Sequence, residues 1–123
     1  MKLRGNICRR NNCSHCCRGT EMPLTDEDIK RISGAGHSKF YDRDRSQLVN
    51  IDGRCFFLTE KGNCTIYTIR PEGCRLYPLI MALPSRTPII DEECPRSNEF
   101  NIDPEDVISL GELISTLEKE GTI

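Results

Sequence analysis

The sequence predicts a small, irregular α+β domain with two helices and short strands. Three observations point that way. Two stretches carry full helix-start signals, the runs between them are β-rich but cut by turn pairs and prolines, and eight cysteines are spread over 123 residues. At this length one core is the expected organisation, so 1–123 reads as a single domain. Only 37% of the residues are hydrophobic, with no Trp, three Tyr and four Phe. Apolar burial alone then gives modest stability, and something else must help hold the fold.

The first segment, residues 8–17, sets Cys8, Cys13, Cys16 and Cys17 among Asn, Arg and Ser with neither helical nor strand periodicity, and reads as a loop. In Leu24-Thr25-Asp26-Glu27-Asp28-Ile29, Thr25 can cap a helix. The acidic residues fall in its positive first turn, and Leu24 can pack on Ile29 as a hydrophobic staple. Gly34 and Gly36 then end that helix near Ser33.

Residues 47–58 supply Leu48, Val49, Ile51, Phe56, Phe57 and Leu58 around Asp52-Gly53, a pairing that predicts a hairpin. Lys61-Gly62-Asn63 makes a second turn before Cys64-Thr65-Ile66-Tyr67. Arg70-Pro71 disfavours helix at Arg70, and the prolines at 71, 78, 84, 88 and 95 predict irregular backbone through this half. The last element, about residues 104–120, is a helix. Asp103 caps it, Pro104 occupies its first position, Glu105 and Asp106 follow, and Gly121 terminates it. Val107, Leu110, Leu113, Ile114 and Leu117 form one apolar stripe, expected to close the core. No internal repeat or low-complexity segment is present.

Eight cysteines need a chemical reason. Disulfides presuppose an oxidising compartment, and Met1-Lys2-Leu3-Arg4-Gly5-Asn6 lacks the apolar stretch of a secretory signal, so a cytoplasmic location is expected. In a reducing compartment thiols are more useful as metal ligands. No apolar run approaches the ~20 residues of a membrane span. The longest candidate, 79–83, lies between Pro78 and Pro84. A net charge of -2 argues against general nucleic-acid affinity. Arg4, Arg9, Arg10 and Arg18 form a local basic cluster, most economically read as offsetting nearby thiolate charge.

Cys13-Ser14-His15-Cys16 has the two-residue gap with which a tight turn points both sulfurs at one ion. A tetrahedral site takes four ligands, so Cys8, Cys13, Cys16, Cys17, Cys55, Cys64, Cys74 and Cys94 make two sets. Adjacent Cys16 and Cys17 project differently, which predicts two interleaved centres or two irons of one cluster. Each downstream cysteine stands at a turn: Cys55 after Asp52-Gly53, Cys64 after Gly62-Asn63, Cys74 after Pro71-Glu72-Gly73, and Cys94 before Pro95. A Cys-Pro pair also closes the ligand run of bacterial ferredoxins. His15 could ligate zinc, although its neighbours already supply thiolates, and His37 reads as an exposed loop histidine. Arg70, Arg75 and Tyr77 around Cys74 read as support for thiolate charge. A thiol-redox role for Cys13 and Cys16 is the rival reading, but it calls for a helix start in a βαβ context. No Ser-His-Asp order, phosphate-binding glycine loop or paired carboxylate in an apolar setting is recognisable.

These residues resemble the CxxCxxCC, or YkgJ-like, family of zinc- or iron-chelating proteins, which is related to the cysteine domain of the flagellin N-methylases. The resemblance covers residues 8–94. It is carried by the cluster with Cys16-Cys17, by Leu24-Thr25-Asp26-Glu27-Asp28-Ile29, Cys55-Phe56-Phe57-Leu58 and Cys64-Thr65-Ile66-Tyr67 with Arg70-Pro71, and by Cys74-Arg75-Leu76-Tyr77-Pro78 and Cys94-Pro95. It departs where four residues, rather than two, separate Cys8 from Cys13, and where Ser14 replaces the usual glycine. The resemblance implies metal chelation by the eight cysteines and, in some members, a link to protein lysine methylation. The expectation is a metal-binding protein holding zinc or iron ions, or a 4Fe-4S cluster, in closed centres. It would act with a protein partner as an accessory, carrier or electron-transfer protein. The alternatives are an enzyme of thiol-redox or methyl-transfer type and a disulfide-stabilised interaction module.

Overall fold

Local signals account for most of the elements seen in the computed structural model, which describes Gly19 and residues 21–123. The loop carrying Cys8, Cys13, Cys16 and Cys17, His15 and the Arg4, Arg9, Arg10, Arg18 cluster lie outside the described residues. Helix α1 spans Asp26–Gly34. Its start is a complete capping box: Thr25 Oγ1 accepts from the Asp28 amide at 3.0 Å, and Asp28 Oδ2 accepts from the Thr25 amide at 3.1 Å. Leu24 is buried and Ile29 packs on the same cluster, as the staple predicts.

Strands β1 (Tyr41–Asp42) and β2 (Gln47–Leu48) pair antiparallel, as do β3 (Asn50–Ile51) and β4 (Arg54–Cys55). The second pair is the expected hairpin. Ile51 faces Arg54 across Asp52 and Gly53, whose φ values of 53° and 77° are those of a type I′ turn. These short strands gain little from their own pairing. Their hold comes from side chains: Leu24, Ile32, Phe40, Leu48, Cys55, Phe57, Leu58 and Ile66 form one buried cluster. Within it the Phe40 and Phe57 rings lie 5.5 Å apart, in the favourable range for tilted aromatic pairs.

After a 3-10 turn at Tyr67–Ile69 comes a third, short helix, α2, at Glu72–Leu76. The sequence reads this stretch as turn. Pro71 is excluded from a helix interior but is well placed immediately before one, and its carbonyl accepts from the Arg75 amide at 3.1 Å.

The proline-rich half also holds a hairpin where irregular backbone is expected. Strand β5 (Leu79–Ala82) pairs with β6 (Thr87–Ile90) over four registered positions. Its prolines avoid the ladder's needs. Pro78 precedes β5, Pro84 sits in the connecting turn, and Pro88 lies on a strand whose outer edge is unpaired in a two-stranded sheet. The Tyr77-Pro78 and Leu83-Pro84 bonds are cis.

Helix α3 spans Pro104–Lys119, with Asp103 Oδ1 accepting from the Glu105 amide at 2.9 Å. It ends in a Schellman motif. The Gly121 amide donates to Glu118 O at 3.1 Å and the Thr122 amide to Leu117 O at 2.9 Å, with Gly121 at φ 74°. The predicted stripe is the buried face. Leu110, Leu113, Ile114 and Leu117 form a second cluster with Leu76 and Leu79, against which Val107 packs.

Candidate metal centre

Each of the four described cysteines is presented by a strand end, turn or helix whose geometry its neighbours fix. Cys55 ends β4, opposite Asn50, and its carbonyl accepts from the Leu58 amide at 2.9 Å. Cys64 follows a tight loop. The Thr59 amide donates to Asn63 O at 2.8 Å, the Asn63 amide donates to Thr59 Oγ1 at 3.1 Å, and Gly62 takes φ 85°. That loop folds Cys64 back to bridge Leu58.

Cys74 lies in the middle of α2, and the placement of α2 depends on one carboxylate. Asp28, 1% exposed, accepts the Glu72 amide at the helix start through Oδ1 at 3.1 Å. The same Oδ1 takes Arg31 at 2.9 Å, and Arg31 reaches on to Arg70 O at 2.9 Å. One residue of α1 thus closes the capping box of its own helix and satisfies an orphan amide of the next. Gly73 adds a close approach, since a Cβ there would stand 2.4 Å from Met22 Sδ.

Cys94 is buried in the turn after β6, its amide donating to Asp91 O at 3.2 Å and its carbonyl accepting from Ser97 at 3.0 Å. Asp91 is held in turn by Tyr77, whose hydroxyl donates to Asp91 Oδ2 at 2.5 Å.

Three of the four described cysteines belong to or border one apolar cluster. Cys55 belongs to the first buried cluster, and Cys64 and Cys74 pack against it. Cys94 is buried outside both clusters. Among the described residues no three His, Cys, Asp or Glu side chains are grouped as an ion would require. The other half of the predicted donor set, Cys8, Cys13, Cys16 and Cys17, lies outside those residues.

His37 is half-buried, with its ring edge-on to Phe57 at a centroid distance of 5.2 Å. The sequence reads it as exposed, and the difference arises because the loop after α1 folds back over the aromatic cluster. Arg70, read as support for thiolate charge, stacks over the Tyr67 ring at 4.0 Å and donates to Tyr67 O at 2.8 Å. Arg75 pairs with Glu72 at 3.7 Å. The residues that sequence reasoning missed are Asp28 as a link between helices, which the Thr25-x-x-Asp28 pattern signalled only as a cap, and Asp91, which nothing in the sequence marks. No described helix is long and apolar enough to cross a membrane.

Across residues 7–105 the chain matches the family model CxxCxxCC, described as "Putative zinc- or iron-chelating domain". The chain belongs to the CxxCxxCC family. The match encloses all eight cysteines and stops at the second residue of α3, so most of the helix that builds the second cluster lies beyond it. An uncharacterized protein of Methanocaldococcus jannaschii is 30% identical over 77 residues, covering 54% of this chain and 41% of its own length. The match therefore spans well under half of that relative. No solved structure matches the chain. Zinc or iron chelation fits the sulfur donors of this chain, because soft sulfur ligands suit both metals.

Proposed function

We propose that this chain binds zinc, iron or an iron-sulfur cluster through Cys8, Cys13, Cys16, Cys17, Cys55, Cys64, Cys74 and Cys94, divided between two centres. The observation that carries the reading is the gathering of Cys55, Cys64 and Cys74 on one buried cluster, reached by three separate chain segments. A backbone bond adds support. The Gly19 amide donates to Gly53 O at 2.8 Å, so the chain two residues after Cys17 is tied down two residues before Cys55.

The bound group would supply a structural cross-link if it is zinc and electron transfer if it is iron-sulfur. The chain's own residues position and shield. Asp28 holds the helix of Cys74, the 59–63 loop holds Cys64, and the aromatic cluster keeps water from Cys55. Four sulfurs per centre leave no open position on a tetrahedral ion, so the reading is of closed centres that act through a protein partner as carrier, accessory or electron-transfer sites.

Single Cys→Ser variants test this. Cys16→Ser and Cys17→Ser are expected to give different losses of metal stoichiometry or different spectra, because adjacent residues serve different centres or different metal atoms. Robust turnover by the isolated chain, lost in Cys→Ser variants that still fold, would overturn the closed-site reading.

A further inference from the structure

Cys74 and Cys94 stand 20 residues apart in the sequence, on different elements, and one side-chain bond joins their supports. Tyr77 follows Cys74 by three residues and Asp91 precedes Cys94 by three. The Tyr77 hydroxyl donates to Asp91 Oδ2 at 2.5 Å, within the short range of an O–H donor on a carboxylate, where hydrogen bonds are about twice as strong as neutral ones.

Every other polar group of Asp91 is also engaged. Oδ1 accepts the Glu93 amide at 3.0 Å, the backbone carbonyl accepts the Cys94 amide at 3.2 Å, and the backbone amide donates to Pro78 O at 2.8 Å. Asp91 therefore shapes the turn that presents Cys94. At the same time it fastens that turn to the two residues directly after α2. The β5–β6 hairpin between them fixes strand register, but its ladder ends at Leu79 and Ile90. Beyond the ladder, the Tyr77 and Asp91 contacts carry the alignment onward to the two cysteines.

We propose that Tyr77 and Asp91 are positioning residues of the metal centre, setting Cys94 relative to Cys74. This rests on the metal-binding reading above. Removing the hydroxyl leaves both sulfurs in place but loosens their relative placement, and groups of this kind are typically worth 10–100-fold in metal affinity.

The test is competition for Zn2+ against a chromophoric chelator, with the Co2+ thiolate charge-transfer band as a second readout, on wild type and variants of the full chain. Tyr77→Phe and Asp91→Ala are expected to lose about 10-fold or more in affinity and to shift or weaken the Co2+ band. Asp91→Asn can keep both contacts, with the tyrosine oxygen now accepting from the amide, and is expected to retain most of the affinity. Asp103→Ala, which uncaps α3 away from this bond, controls for stability alone: it is expected to lower the melting temperature, and the apparent Zn2+ affinity only as far as folding is coupled to binding, while leaving the position and intensity of the Co2+ band unchanged. A wild type that loads metal alongside a Tyr77→Phe variant of equal affinity and spectrum overturns this inference alone. A wild type that takes up no metal overturns the metal-binding reading and this inference with it. Should Tyr77→Phe fail to fold, the ranking of Asp91→Asn above Asp91→Ala decides the matter, and equal affinities contradict the proposal.

Discussion

The carboxylate of Asp28 accepts the backbone amide of Glu72, 44 residues away, at 3.1 Å. That single bond connects the helix with the clearest sequence signature to the helix that carries Cys74. Asp28 is buried, and its two oxygens hold the Thr25 amide, the Glu72 amide and the Arg31 guanidinium. No apolar residue of the same size could replace those acceptors.

Asp28→Ala is therefore expected to cost about 2–4 kcal/mol, because it leaves buried donors unsatisfied and removes a cap together. Urea denaturation that gives a lower midpoint with an unchanged slope is the expected outcome. Asp28→Asn keeps a carbonyl acceptor and is expected to cost less. A difference within 0.5 kcal/mol between wild type and Asp28→Ala, the usual scale of a surface change, would contradict the role assigned to this residue.

Two glycines separate backbone effects from packing effects. At both Gly53 and Gly34 a Cβ would meet nothing within 4 Å, but only Gly53 has positive φ, at 77°. Gly53→Ala is expected to destabilise by about 1–2 kcal/mol through left-handed strain alone. Gly34→Ala, at the end of α1, is expected to be neutral or to stabilise by up to about 1 kcal/mol, since it restricts only the unfolded chain. Thermal melts of the two variants should move in opposite directions or leave Gly34→Ala unmoved. Equal losses would show that the turn does not require its glycine.

Metal removal is expected to unfold the chain. Its two apolar clusters are small, and the free energy of binding ions to several thiolates is coupled to folding. Chelator under reducing conditions should abolish the circular dichroism signal of α1 and α3 together with the cooperative melt. A melting temperature unchanged after complete metal removal would sink this expectation.

The elements legible in the sequence were those specified locally. Thr25 and Asp103 as caps, Gly121 as terminator and the Asp52-Gly53 turn each act within a few residues, and all stand where the pattern places them. The β5–β6 hairpin was not legible because its prolines mask it. What tolerates them is the open edge of a two-stranded sheet, which is a tertiary fact. Helix α2 was hidden for a similar reason: five residues carry little periodicity, and its start is stabilised from 44 residues away. Of the candidate site, the cysteines announced themselves by number and by their turn signals. Their supports did not, because Asp91 resembles any loop aspartate until Tyr77 is found against it.

The most direct test of the account is elemental analysis of anaerobically purified chain, read together with its absorption spectrum. The prediction is bound zinc or iron at a stoichiometry that fills two thiolate centres. A colourless protein would then indicate zinc, and a brown one with broad absorption near ~400 nm an iron-sulfur cluster. A folded, reduced chain free of both metals, with all eight cysteines titrating as thiols once it is denatured, would contradict it.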